Sequence, residues 1–235
     1  TGNIKNNYRG MVFDLQNRFL IPGLIDAHCH ATASPVFSMR MTDLPNHARQ
    51  QKQNFVSAVE SGITTIRDMG AFPVLLKRFI RDIEKGNMPG PRVVYCNSIL
   101  NVMGSHPEIP PSDINFFALP ASLFIGMIMN NFKNTKEMEE CLEENARGAS
   151  FIKLTLDNRT IFCKKNKAIP VYSKEQLDII FNFAEKNGLP VVGHHHFKFS
   201  FDRAMAYPFH SIEHLIADRI LSDDDVLKKK KNNVA

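Results

Sequence analysis

The stretch GLIDAHCH, residues 23–30, follows an apolar run and Pro22 and places two histidines two residues apart. Its apolar start predicts a β-strand, in which successive side chains point to opposite faces. His28 and His30 are therefore expected on one side of the strand's end, with Cys29 on the other. Two imidazoles placed in this way can bind one metal ion, although such a pair also occurs where histidines pack or respond to pH.

Three later segments offer further candidate ligands at the ends of predicted strands. Lys153 follows an apolar pair in the segment FIKL, His194 follows PVVG, and His214 closes SIEH. Apolar strands separated by helical segments predict parallel strands covered on both faces, as in a βα-barrel or a doubly wound sheet. The candidates fall on the first, fourth, fifth and sixth strands. Because only a closed barrel brings these strand ends to one central mouth, their pattern favours the barrel.

The helical segments differ in how clearly the sequence defines them. Ser173–Asn187 is the clearest, since Ser173 and Gln176 form a capping box and Gly188 supplies a left-handed stop. The region between the predicted strand Arg92–Asn97 and the predicted helix Thr135–Arg147 has no clear period. We expect a long irregular insertion there, with the apolar window Phe116–Met129 as a buried helix or a lid over a site.

The composition narrows the class of protein. Of the 235 residues, 43% are hydrophobic and the formal net charge is +5, which together exclude a disordered chain. Basic residues are not interleaved with aromatic ones, so no nucleic-acid partner is expected. The four cysteines form no CxxC pair and the first residues are polar, which predicts a cytoplasmic protein without a signal peptide. The apolar window contains Pro120 and is too short to span a bilayer, so no membrane partner is expected.

Taken together, these blocks resemble the metal-dependent amidohydrolase superfamily, most closely its prolidase-like and imidazolonepropionase-like branch. The matching blocks are PGLIDAHCH at 22–30, GITTIRD at 62–68, GPR at 90–92, FIK at 151–153, PVVGHHH at 190–196 and SIEH at 211–214. The resemblance implies an α/β fold, a (β/α)8 TIM-type barrel that is incomplete at its C-terminal side. Residues 21–235 would supply about strands 1 to 6, and residues 1–20 would be the remnant of a small β-sandwich.

The resemblance also implies which side chains bind metal. His28 and His30 would bind the more buried of two divalent ions, with zinc as the expected metal, and His194 and His214 would bind the more exposed one. Lys153 would bridge both ions as a carbamate formed with CO2. Burial beside apolar neighbours lowers the pKa of an amine and makes its neutral, reactive form accessible.

Other histidines have weaker assignments. By strand alternation His196 shares the face of His194 while His195 does not, so His196 is a candidate for contact with the substrate or with the metal ligands. His106, in GSHP on the loop after the third strand, is a second candidate for substrate contact. An exposed loop histidine without a role is an equal alternative for His106.

The implied function is hydrolysis of a carbon–nitrogen bond in a small amide or dipeptide by a metal-bound hydroxide. The resemblance requires a general-base aspartate at the end of the eighth strand, which is absent from these residues, since Asp218 and Asp223–Asp225 lie too close behind His214. We therefore expect a fragment of a longer enzyme, inactive alone, that forms a homo-oligomer. Two alternatives remain: a mononuclear ring amidohydrolase or deaminase that leaves the lysine unmodified, and an inactive metal-binding fragment. The segment TLDN at 155–158 lacks the glycine pair of the dipeptidase branch, which weakens that assignment most.

Overall fold

The computed structural model of the chain describes residues 10–11, 13–33, 44–108, 119–160 and 168–235; within these ranges the side chains at 44, 45, 119–121 and 124 are left out. The predicted β-sandwich remnant over residues 1–20 stays a prediction, because residues 1–9 and 12 lie outside the described ranges. Cys163 lies outside them as well. The three described cysteines, Cys29, Cys96 and Cys141, are free thiols.

Strands and helices alternate through the described residues. In chain order they are β1 (Leu24–Cys29), α1 (Leu44–Glu60), β2 (Ile63–Asp68), α2 (Pro73–Glu84), β3 (Arg92–Tyr95), β4 (Ile99–Val102), α3 (Leu119–Ile128), β5 (Met129–Phe132), α4 (Thr135–Ala146), β6 (Ile152–Thr155), α5 (Lys174–Lys186), β7 (Val191–His194), α6 (Lys198–Ala204), β8 (Ser211–Glu213) and α7 (Asp223–Lys231).

All of the pairings between these strands are parallel. One sheet has the order β1-β2-β3 and the other the order β5-β4-β6-β7-β8. The two sheets continue one into the other, because β3 and β4 follow each other along the chain and Ser150 N–H donates to the Tyr95 carbonyl at 2.8 Å. At the far ends, the His28 side chain on β1 lies 2.9 Å from that of Glu213 on β8. The strands thus form the partial parallel barrel predicted from the sequence.

Two apolar cores hold the helices against the outside of the strands. The larger core packs Leu154 on β6 and Val191 on β7 against Leu177 and Ile180 of α5 and against Phe201 of α6. The smaller one packs β2 against the helices before and after it, through Phe55, Ile66, Leu76 and Phe79. Both cores lie on the helical side of the sheets and leave the carboxyl ends of the strands to polar side chains.

Helix α5 confirms its sequence signature. Gln176 N–H donates to the Ser173 hydroxyl at 3.1 Å, and Ser173 N–H donates to the Gln176 side chain at 2.8 Å. Gly188 follows the helix with a φ of +64°, in the left-handed region where glycine is favoured. Burial of Leu177, Ile180 and Ala184 then directs one face of the helix into the larger core.

The prediction of an irregular insertion after β3 is wrong in part, because β4, α3 and β5 lie within it. The polar sequence of β5 does not predict a strand, because asparagine is uncommon in sheets. Here the Asn101 amide on β4 donates to Asn131 on β5 at 3.1 Å, which satisfies polar groups across the pair. Pro120 disfavours a helix in the sequence, but the structure accommodates it because it lies in the first turn of α3. Within the apolar window, residues 119–128 are therefore helical, with Ile125 and Ile128 buried against Ile99, while residues 116–118 lie outside the described ranges.

Within the described residues, none of the helices has the length and apolarity needed to cross a membrane.

Candidate metal centre

The two histidines of β1 are each held through Nδ1. His28 Nδ1 donates to the Glu213 carboxylate at 2.9 Å, and His30 Nδ1 donates to the Gly70 carbonyl at 2.8 Å. Because both acceptors are oxygens without a proton, each Nδ1 carries a hydrogen, and Nε2 is the nitrogen that would bind a metal. Such an outer hydrogen bond is the usual way in which proteins orient a metal-binding imidazole.

Glu213 is itself firmly anchored. Its Oε1 accepts from the Ser211 hydroxyl at 2.7 Å and faces Arg67 Nη1 at 3.3 Å, while Arg67 Nη2 donates to the Ser211 hydroxyl at 2.8 Å. Burial of the carboxyl favours a higher pKa. The hydrogen bonds from His28 and Ser211 and the charges of Lys153 and Arg67 outweigh this effect and lower the pKa to about 2. The carboxylate is therefore ionised at neutral pH and can hold His28 in one tautomer.

The Gly70 carbonyl, which accepts the hydrogen bond from His30, lies in the turn after β2. Asp68 accepts from Ala31 N–H at 2.7 Å and from Gly70 N–H at 3.0 Å, and burial raises the pKa of this carboxyl to about 6. Gly70 has a φ of +141°, and a Cβ on it would lie 2.6 Å from the Ile99 side chain. This position thus requires glycine, both for its backbone and for its space, and the turn fixes the carbonyl that orients His30.

Lys153 on β6 is buried, with 2% of the residue exposed, and its Nζ has no hydrogen-bond partner among the described residues. Burial lowers the pKa of the amine to about 8, against the opposing charge of Glu213. After burial itself, the lysine's charge is among the causes that lower the pKa of His30, His194 and His214, so the amine lies within electrostatic range of all three. A buried amine without a partner fits a residue whose nitrogen is modified or bridges metal ions.

The rings of the predicted histidine ligands form a continuous row. The His28 and His214 centroids are 4.7 Å apart, those of His214 and His194 are 4.4 Å apart, and those of His28 and His30 are 5.7 Å apart. Burial and the neighbouring positive groups lower the pKa of His214 to about 4 and that of His194 well below its usual value. Both rings are thus neutral at pH 7, which is the state that binds metal.

His214 has an unusual backbone, with a φ of +78° in the left-handed region. Residues other than glycine adopt this conformation at a cost of about 1–3 kcal/mol, and such residues cluster at functional sites. The conformation directs the ring of His214 toward His28 and His194, at the end of β8.

The histidines with weaker assignments separate as strand alternation predicts. His196 lies beside His194, with 4.4 Å between their ring centroids, whereas His195 donates from Nδ1 to the Glu213 backbone carbonyl at 2.8 Å and packs near Phe201. The exposed alternative for His106 is wrong. This residue is 2% exposed because it stacks on His194, with 4.6 Å between the centroids.

Asp157, which we did not single out as a candidate, lies beside these rings. Its Oδ1 accepts from His196 N–H at 2.9 Å and from the Ser200 hydroxyl, and its Oδ2 lies 3.1 Å from His196 Nδ1 and 3.6 Å from His194 Nε2. Burial raises the pKa of the carboxyl, but the hydrogen bonds from His196 and Ser200 give a net lowering. Asp157 follows Lys153 by four residues, so an extended continuation of β6 would place both on the same face, which is a weak signal in the sequence.

The comparisons with known proteins agree with this architecture. The sequence model of the amidohydrolase family matches residues 19–208, and the chain belongs to this family. None of the curated proteins matches the chain.

Solved structures of similar fold include an amidohydrolase, a prolidase complexed with N-methylphosphonate-L-proline, and an Xaa-Pro dipeptidase with bound methionine. The amidohydrolase is 22% identical with a TM-score of 0.72, over 98% of this chain and 56% of its own. The prolidase is 19% identical with a TM-score of 0.70, and the dipeptidase is 20% identical with a TM-score of 0.67, each over 91% of this chain and 52% of its own. The chain thus spans about half the length of these structures, and at such identities the likeness shows the fold alone.

Proposed function

We propose that this chain is the metal-binding part of a hydrolase that cleaves the carbon–nitrogen bond of a small amide or dipeptide. The observation that carries the proposal is the Lys153 amine, buried without a hydrogen-bond partner within electrostatic range of three imidazoles. An unpartnered buried charge is costly, so its retention points to chemistry at this nitrogen.

The proposed ligand assignment follows the geometry of the imidazoles. His28 and His30 would hold one divalent ion through Nε2, and His194 and His214 would hold the second, with zinc suited to this set of donors. When bound, the two ions would supply hydroxide at neutral pH and polarise the scissile carbonyl.

Lys153 would connect the two ions after reaction with CO2. With a pKa of about 8, roughly a tenth of the amine is neutral at pH 7. The neutral nitrogen attacks the carbon of CO2 to form an N–C bond, and the nitrogen then loses one proton, which leaves an anionic carbamate with two ligating oxygens. The electron pair of one C=O π bond moves to oxygen, and the proton is released to solvent.

The remaining residues of the centre position these ligands. Glu213 and the Gly70 carbonyl hold the protons on Nδ1 of His28 and His30, and Ser211 and Arg67 hold the Glu213 carboxylate in place. The proton acceptor for hydrolysis is proposed to come from the remainder of a longer protein. The substrate class and the homo-oligomeric state stay predictions, and a dipeptide is favoured because the structures of similar fold include a prolidase and an Xaa-Pro dipeptidase.

The decisive experiment is metal analysis of the full protein together with a hydrolysis screen of dipeptides, N-acyl amino acids and cyclic amides. We expect at least two divalent ions per chain, two of them bound by His28, His30, Lys153, His194 and His214, and an activity that rises with added bicarbonate. One ion and indifference to bicarbonate would instead support the mononuclear ring amidohydrolase or deaminase. A protein that binds metal but hydrolyses none of these substrates would support the inactive metal-binding alternative.

A further inference from the structure

Four side chains at the mouth of the barrel form a second group of potential ligands, here called the Asp157 cluster. It consists of His106 after β4, Asp157 after β6, and His194 and His196 at the end of β7. One ligand atom from each lies within 4.8 Å of the ligand atoms of all the others. Only His194 belongs also to the five residues assigned above.

Three ligand atoms of the Asp157 cluster lie nearly as far apart as the ligands of a bound metal do. His194 Nε2 lies 3.0 Å from His196 Nδ1, and Asp157 Oδ2 lies 3.1 Å from His196 Nδ1 and 3.6 Å from His194 Nε2. Nitrogen and oxygen ligands about 2.0–2.2 Å from a tetrahedral zinc ion are roughly 3.3–3.6 Å from each other. The three atoms could therefore surround one ion with only small movements.

The charge of the cluster also points to a cation. The Asp157 side chain is fully buried, and its Oδ1 is occupied by the His196 amide and the Ser200 hydroxyl, which turns Oδ2 toward the imidazoles. Among the described residues, neither a lysine nor an arginine forms an ion pair with this carboxylate, whereas the nearby Arg159 pairs with Asp218 at 3.0 Å. A buried carboxylate is stabilised by a paired positive charge, and three nitrogen donors facing it suit a metal ion.

We propose that His106, Asp157, His194 and His196 bind an additional divalent cation of the zinc type, next to the centre assigned above. His194 Nε2 faces the Asp157 cluster, so only Nδ1 of this ring is left for the neighbouring centre. His194 would be a ligand of both ions only as an imidazolate, after its ring N–H proton is released to solvent. The part of the inference in which His194 is shared with the neighbouring centre rests on the proposed function. The binding of a cation by the cluster itself does not.

The test is zinc binding by the full protein, measured by equilibrium dialysis with elemental analysis. Asp157→Asn keeps an oxygen that can accept from the His196 amide but removes the charge. We expect this variant to bind one zinc ion fewer per chain than the wild type, or to bind that ion at least about 10- to 100-fold more weakly. Asp218→Asn, which removes a carboxylate that pairs with Arg159 at the edge of the cluster, is the matched control and should bind zinc as the wild type does.

A second variant guards against a failure to fold. His106→Gln removes one ligand from a loop outside the strands, and it should weaken the same ion while the circular dichroism spectrum stays that of the wild type. If both variants keep the wild-type number of ions and their affinities, the inference is overturned, and the Asp157 cluster is a hydrogen-bond network that orients His194.

The two proposals fail in distinguishable ways. His28→Ala is expected to weaken the ion at β1 and to leave the ion of the Asp157 cluster in place. If zinc binding is lost in His28→Ala but unchanged in Asp157→Asn, only the assigned centre exists. If the reverse is found, the Asp157 cluster binds metal and the proposed function is wrong in its ligands.

Discussion

The mouth of the barrel has two sides that prepare their imidazoles in different ways. On the β1 side, His28 and His30 each donate to an oxygen outside the ligand set, so their free nitrogens are fixed before any ion arrives. On the β7 side, His194 and His196 contact each other and the Asp157 carboxylate instead. The β1 side is therefore preorganised by hydrogen bonds to other parts of the protein. The rings of the β7 side form hydrogen bonds within their own group, and these bonds must break when the rings bind a cation.

Replacement of Lys153 should have the largest effect, because this residue is proposed to connect the two ions held by His28 with His30 and by His194 with His214. Lys153→Met keeps the volume and removes the amine, and we expect the affinity for both ions to fall by at least about 100-fold, since even the loss of a group that only orients a ligand costs 10- to 100-fold. Zinc titration followed by elemental analysis measures this loss. The exposed Lys174→Met is the control, and equal losses in both variants would contradict the assignment.

Replacement of Glu213 should separate the two sides. Glu213→Gln removes the anionic acceptor of His28, and we expect about 10- to 100-fold weaker binding of the ion at β1, with a smaller change at the Asp157 cluster. Competition with a zinc chelator resolves the two classes of ion. Equal weakening at both positions would mean that the β1 side is no more preorganised than the other.

The pH dependence of the metal-free protein should show the cost of the buried lysine. The folded-state pKa of Lys153 is about 8 and its ordinary value is 10.5, so the unfolded chain binds more protons between these values. Stability is therefore expected to rise as the pH increases from about 8 to 9 in chemical unfolding experiments. Above the ordinary thiol pKa of 9.0 the buried Cys29 and Cys96, whose pKa values burial raises, have the opposite effect. The rise should be absent from Lys153→Met, and its persistence there would assign it to another group.

Ser173→Ala should have the smallest effect and should leave both sides of the mouth alike. Loss of the Ser173 hydroxyl removes the hydrogen bond that it accepts from the Gln176 backbone N–H, at a cost of about 1 kcal/mol of stability. Urea unfolding would detect the loss, while zinc affinity should stay that of the wild type. A change in zinc affinity would show that the packing of α5 on β6 and β7 reaches the ligands.

The sequence predicted the features that depend on local periodicity. Alternation along β1 and β7 placed His28 with His30 and His194 with His196, and turned His195 away, as the structure confirms for these rings. The bounds of α5 followed from its caps because a capping box needs only residues three apart.

Features that depend on barrel closure were not predictable from those patterns. Glu213 orients His28 across 185 positions of sequence, and a local pattern carries no information on that pairing. Asparagine is unfavourable in strands, and the hydrogen bond from Asn101 on β4 to Asn131 on β5 that compensates for this forms only when the two strands pair. Asp157 had a weak signal in its register with Lys153, and a carboxylate after a strand also occurs as an ordinary turn residue.

The left-handed backbone of His214 has a consequence for how this position can vary. Glycine would relax the chain there, yet glycine brings no imidazole, so a His214→Gly protein would gain conformational ease and lose a donor at the same time. The histidine at this position therefore brings an imidazole to the mouth of the barrel at the cost of an unfavourable backbone conformation.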